Sequence, residues 1–273
     1  MRESRSRIVE ARRRAADAKQ AALALAAAGF LAIALLARTS HPAQASSSST
    51  STGTTVQSQD AGLQPPARPA RPVERLFGRA DGRLVIAAAG TAWYAARAGG
   101  ILAYILVSAS VAVGLLLSGR ARLQRWPRFA LEDVHSFLGF LAGTFIVVHG
   151  GALLLDHVVP FSLWQLIVPG TAGYRPLDVA FGVVAAELLA ALAITNHYRK
   201  RLPHGLWRRL HMLNFAVWGL ALAHGLTAGT DASTTWALVL YAGSAWLVLA
   251  LLVHRISQNW NPVGSNERRT QWQ

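Results

Sequence analysis

The chain has 273 residues, 52% hydrophobic and 15% charged, with a formal net charge of +14 and no cysteine. A charged fraction well below the roughly 25% of a soluble domain argues against an ordinary water-soluble fold. The missing cysteines exclude disulfides, thiolate metal sites, cysteine-ligated iron–sulfur clusters and c-type haem attachment. The basic residues cluster at the ends of apolar runs, where membrane orientation places them, so no nucleic-acid partner is expected.

Residues 1–20 read as a basic cytoplasmic N-terminus carrying Arg2, Arg5, Arg7, Arg12, Arg13, Arg14 and Lys19. The apolar run "AALALAAAGFLAIALLA" follows, and residues 21–38 read as a first transmembrane helix. The alternative is a signal-like segment, because "PAQA" before "SSSST" resembles a small-residue cleavage site. Residues 39–91 turn Ser/Thr-rich and then Pro-rich ("QPPARPARP") and lack the apolar content for a core. They are expected to be an extracytoplasmic, largely disordered linker.

Four further runs are easily placed, at about 93–117, 132–155, 177–196 and 235–254, and a fifth at about 208–227 completes the set. Each is long enough for a hydrocarbon core of about 30 Å. The loops at 119–130 and 199–209 are rich in Arg and Lys, whereas those at 157–175 and 228–234 hold one basic residue between them. The first pair is therefore cytoplasmic and the second outside. The segment around Trp164 reads as interfacial, and residues 255–273 as a polar cytoplasmic tail. The expected fold is an all-α membrane protein, a six-transmembrane-helix bundle in the cytoplasmic (plasma) membrane with both termini cytoplasmic; lipid leaves only helices or closed barrels to satisfy the backbone.

Of nine histidines, four lie within spans: His135 and His149 on the third, His211 and His224 on the fifth. The third and fifth helices run in the same direction in this topology. His135 and His211 then share the inner level, and His149 and His224 the outer. The separations of 14 and 13 residues correspond to about 21 Å and 20 Å of helix rise. No single metal ion is reached by both histidines of one helix, but each level offers two imidazoles, the axial set of a b-type haem iron. Two stacked b-type haems are expected, with His135 and His211 on the inner iron and His149 and His224 on the outer. On an ideal helix His135 and His149 share a face within about 40°, whereas His224 falls about 140° short of whole turns from His211. Tilt or a local irregularity is needed to bring both imidazoles inward. Zinc fits poorly with two nitrogens per level. A histidine proton relay would want intramembrane acids, and the one well inside a span is Glu187.

"HSFLGFLAGTFIVVHG", "WRRLHMLNFAVWGLALAHGLTAGTD" and "WYAARAGG" together resemble the ferric reductase-like transmembrane domain, over residues 92–254. That family includes ferric reductases, NADPH oxidases and the haem-bearing membrane subunit of a bacterial methionine sulfoxide reductase. The resemblance implies six helices and two haems ligated from the third and fifth. It implies that Arg97 pairs with outer-haem propionates, and that Arg209, with its neighbour Arg208, is available to the inner ones; both also suit lipid headgroups. The position four residues beyond the outer ligand of the third helix is Leu153, where the oxidases carry a second histidine, which counts against superoxide production.

Flavin and nicotinamide domains follow the last helix in full-length reductases. No glycine-rich phosphate loop follows it here. The chain is thus expected to be an oxidoreductase component that conducts electrons from a separate donor, a flavoprotein or quinol, to an extracytoplasmic acceptor. Two alternatives stay open: a haem-bearing anchor or sensor subunit of a partner complex, and a non-haem transporter.

Overall fold

A computed structural model describes residues 2–40, 80–119, 126–156 and 159–260. The Ser/Pro-rich stretch 41–79, Arg120, Arg122, Arg125, His157 and the tail 261–273 lie outside the described residues. The elements are α1 (Arg2–Ser40), α2 (Ala80–Ser118), α3 (Arg128–Leu154), α4 (Leu163–Ile167), α5 (Pro176–His197), a 3₁₀ turn (Arg199–Arg201), α6 (His204–His211), α7 (Asn214–Thr227) and α8 (Thr235–Trp260). No strand occurs among the described residues.

Five helices are long and apolar enough to cross a membrane: α1, α2, α3, α5 and α8. Their surfaces agree with that reading. Phe140, Val147, Leu177 and Trp246 are each more than 70% exposed, a distribution that water would penalise and lipid does not. The protein is an integral membrane protein built from helices.

The cross-helix contacts fix the directions. Lys19 of α1 pairs with Asp133 of α3 at 2.8 Å, and Phe30 meets Phe145 with ring centroids 5.9 Å apart, so α1 and α3 run the same way. Gly99 of α2 abuts His149 and Gly114 abuts His135, so α2 runs against α3. Arg97 and Tyr104 of α2 meet Asp231 and Ser244 in that order, so α8 runs with α2. α2 is the central helix, packing on α1, α3, α7 and α8. Its Ala98, Leu102, Leu106, Val107, Val111 and Leu115 form the middle of the main core. Two polar contacts cross that core: Trp218 Nε1 donates to Ser108 Oγ at 3.1 Å, and Tyr104 Oη lies 2.6 Å from Ser244 Oγ.

Two expectations are corrected. Residues 80–91, assigned to the linker from sequence, are helical and belong to α2; "LVIAAAGTAWY" carries the apolar, alanine-rich character of the span backward past its expected start. The fifth span, expected as one helix over 208–227, is two helices meeting at Met212–Leu213. α7 alone has 14 residues, about 21 Å, short of a bilayer core.

The cause of the break is local. Asn214 Nδ2 donates to the carbonyl of His211 at 2.8 Å, the acceptor that the Phe215 amide would use in a regular helix. Phe215 N–H turns instead to the Met212 carbonyl (3.1 Å), and Leu213 N–H to Leu210 (2.9 Å). A short polar side chain has competed with the backbone ladder, and the turn has tightened to 3₁₀-type bonds. Such winding adds about 20° per residue over the α-helix. That is the direction needed to make up the phase deficit between His211 and His224.

The outer loop is shaped by α4, which opens on a capping box: Ser162 Oγ accepts from Gln165 N–H and Gln165 Oε1 from Ser162 N–H. Trp164 and Leu163 stand exposed, the interfacial character expected of this segment.

Candidate functional site

The four in-span histidines meet in two pairs. The rings of His135 (α3) and His211 (end of α6) have centroids 5.9 Å apart and planes at 69°. Those of His149 (α3) and His224 (α7) are 6.3 Å apart at 72°. The pairs lie at opposite ends of α3, separated by about 21 Å of rise.

Three of the four imidazoles are anchored by one repeated device. His149 Nδ1 lies 2.5 Å from the carbonyl of Ala96, His135 Nδ1 2.9 Å from that of Ser110, and His224 Nδ1 2.8 Å from that of Asp178. In each case the residue four further along the accepting helix is glycine: Gly100, Gly114 and Gly182. A Cβ there would lie 3.0 Å from His149 Cε1, 3.2 Å from His135 Cε1 and 2.8 Å from His224 Cε1, respectively. The carbonyl of residue i already accepts from the amide of i+4. Removing the side chain at i+4 opens it to a second donor and lets the ring lie flat on the helix. Each ring therefore donates from Nδ1–H, and Nε2 is the basic nitrogen. None of the four Nε2 atoms forms a hydrogen bond among the described residues.

His211 is held differently. Its Nδ1 is 3.5 Å from Asn214 Nδ2, at the limit of a contact. Its ring stacks on Trp207, with centroids 5.2 Å apart at 26°, and Trp207 in turn meets His204. Trp207 Nε1 is buried and makes no hydrogen bond among the described residues.

The outer pair opens onto a cavity of about 520 Å³, lined among others by Arg97, Gly100, His149, Phe161, Leu166, His224, Asp231 and Tyr241. That volume is typical of small-molecule sites. Arg97 is ion-paired to Asp231; the two side chains are 11% and 4% exposed. The guanidinium also lies 4.2 Å over the Trp93 ring, a cation–π contact. Its Nε and Nη1 are buried without a hydrogen-bond partner.

The structure thus brings His135 to His211 and His149 to His224, with Arg97 beside the outer pair. Arg208 and Arg209 are exposed on α6. Arg208 is three residues before His211 and shares its face, whereas Arg209, two before, does not. Glu187 is exposed on α5 and makes no hydrogen bond or ion pair with any of the four histidines among the described residues. Among the described residues no three His, Asp or Glu side chains converge as metal ligands. Sequence reasoning missed the three glycines, Trp207 and the Asp231 partner of Arg97. One signal was present: Gly100 and Gly114 stand 14 residues apart, the spacing of His135 and His149. No family model matches the chain, and no solved structure matches it.

Proposed function

We propose that the chain is a transmembrane electron conduit holding two b-type haems, one between His135 and His211 and one between His149 and His224. The observation that carries this is the ring separation of each pair, 5.9 Å and 6.3 Å. An imidazole nitrogen sits about 1.1 Å from its ring centroid, and metal–imidazole bonds are about 2.0–2.1 Å, so two rings on opposite sides of one metal have centroids about 6.3 Å apart. A haem brings its own four equatorial nitrogens, so two imidazoles per level complete it.

The surroundings suit that group. The Nδ1 bonds to backbone carbonyls fix ring orientation and raise the basicity of Nε2. The spare donors of Arg97 suit a propionate, and Arg208, on the face of His211, is a cation at the other end. Bound haem supplies one-electron chemistry that no side chain here can. The helices would hold it through the imidazoles of His135, His211, His149 and His224, within an apolar sheath that excludes water. The resemblance to ferric reductase-like transmembrane domains points the same way.

The basic loops orient the bundle in a plasma membrane with the His135–His211 pair and both termini cytoplasmic. Electrons then enter from a separate flavoprotein or quinol and leave to an extracytoplasmic acceptor. An inside-negative potential favours that direction by about 2.3 kcal/mol per 100 mV for a full crossing. The test is the absorption spectrum of protein purified from haem-replete cells. A bis-imidazole b-type spectrum with about two haems per chain is expected; a colourless, folded protein overturns the proposal.

A further inference from the structure

His135, His149 and His224 are each tied to a different helix from their own, across 25, 53 and 46 residues of sequence. His211 has no such tie. Apart from the His135 ring that it faces, its partners among the described residues are Asn214, three residues on, and Trp207, four residues back. Trp207 lies on α6 with His211, and Asn214 opens α7 just across the Met212–Leu213 break. The position on α5 that would supply a fourth anchor lies about one bilayer level from Gly182; fourteen residues along stands Asn196, and the opened carbonyl is absent. His211 also ends an eight-residue helix, at the Met212–Leu213 break. Met212 and Leu213 are themselves exposed. α6 can therefore move with Trp207 and His211 as a unit, giving up only the Asn214 contacts at the hinge, while α7, which carries His224, stays packed through Val217 and Trp218.

We infer that His211 is a releasable ligand, and that the inner site exchanges its imidazole for a small neutral diatomic molecule while the outer site does not. This rests on the haem reading above. Movement of α6 withdraws the His211 ring together with the stacked indole, leaving His135 on the opposite side held by Ser110. The vacated position is bordered by the Trp207 ring, whose apolar face suits a neutral diatomic. At the outer site both rings are anchored by carbonyls and backed by glycine, so neither can withdraw without losing a buried hydrogen bond. Trp207 acts as a positioning residue, setting how often the ring leaves.

Carbon monoxide added to the dithionite-reduced, haem-loaded full chain is the test. The expected result is a carbonyl spectrum from about half of the total haem, with CO binding about three- to tenfold faster in W207L, as the loss of one aromatic stack implies. Backbone amide exchange read on the same protein should be faster over 204–213 than over 214–227. Intact haem absorption with no CO adduct in either the native protein or W207L overturns this inference and leaves the conduit reading standing. CO adducts at both haems equally also overturn it. Absence of haem absorption overturns both.

Discussion

Gly182 of α5 and the imidazole of His224 are packed so closely that a Cβ at position 182 would stand 2.8 Å from ring carbon Cε1 and the same distance from Nδ1. Real Cβ atoms do not approach so near, and the ring cannot retreat without breaking its bond to the Asp178 carbonyl. On the proposed haem reading, G182A is therefore expected to displace His224 and lower haem content to about half, read by pyridine haemochrome on purified protein. G114A meets His135 at 3.2 Å, a distance that a shift of tenths of an ångström relieves, and should retain most of the haem. Gly143 has nothing within 4 Å of its hypothetical Cβ. G143A should keep full haem and gain up to about 1 kcal/mol from helix propensity. Equal loss in all three variants would mean that the glycines act through general helix packing rather than on the rings.

Arg97 and Asp231 present a different energetic problem. Asp231 is buried and Arg97 largely so, and each compensates the charge of the other. Breaking a buried pair by removing one partner costs about 3–5 kcal/mol, because the remaining charge is left without compensation. R97L and D231L should each lower the unfolding temperature in detergent by several degrees, and the double variant should recover most of the loss. The haem reading adds an asymmetry. Removing Arg97 takes away a cation beside the outer pair and should make one of the two midpoint potentials more negative, leaving the other unmoved. A spectroelectrochemical titration separates the two effects.

The legibility of this protein in its sequence divides along the scale of the interactions. Spans were readable because lipid imposes a crude requirement, a long apolar run, that α3, α5 and α8 meet within a few residues of the expected limits. The histidine levels were readable because depth in a parallel pair follows from residue number alone. Azimuth was not. The 140° shortfall of His224 assumed an unbroken helix, and the break depends on one side chain, Asn214, finding one carbonyl. The anchoring carbonyls were equally hidden, because backbone acceptors leave no trace in residue identity except the glycines that uncover them. The Arg97–Asp231 pair spans 134 positions, and nothing local in either segment names the other.

Trp218 and Ser108 tie α7 to α2 inside the core, indole N–H to hydroxyl at 3.1 Å. S108A removes the acceptor and leaves a buried donor unsatisfied, at a cost of about 1–3 kcal/mol. The double variant S108A/W218F removes donor and acceptor together. Its loss should be less than that of S108A plus that of W218F measured alone, the signature of a direct contact in a double-mutant cycle. Additive losses would show that the two residues stabilise α7 independently.

Asn214 decides the azimuth of His211, and its removal tests that directly. In N214A the His211 carbonyl is released to the Phe215 amide, and alanine, the strongest helix former, favours a continuous helix through residues 211–215. An uninterrupted helix turns His211 away from His135 by an amount approaching the ideal phase error of about 140°. His224, fixed by Asp178, stays where it is. On the proposed haem reading, the expected outcome is loss of the inner haem with retention of the outer one, so that haem content falls to about half while Arg97 variants still shift the remaining potential. Amide exchange across 211–215 should slow, since regular ladder bonds replace the 3₁₀-type ones. N214S, which keeps a short side chain able to bond the same carbonyl, should restore part of the inner haem. Full haem content in N214A, with exchange slowed, would show that the helix break is not what brings His211 to face His135.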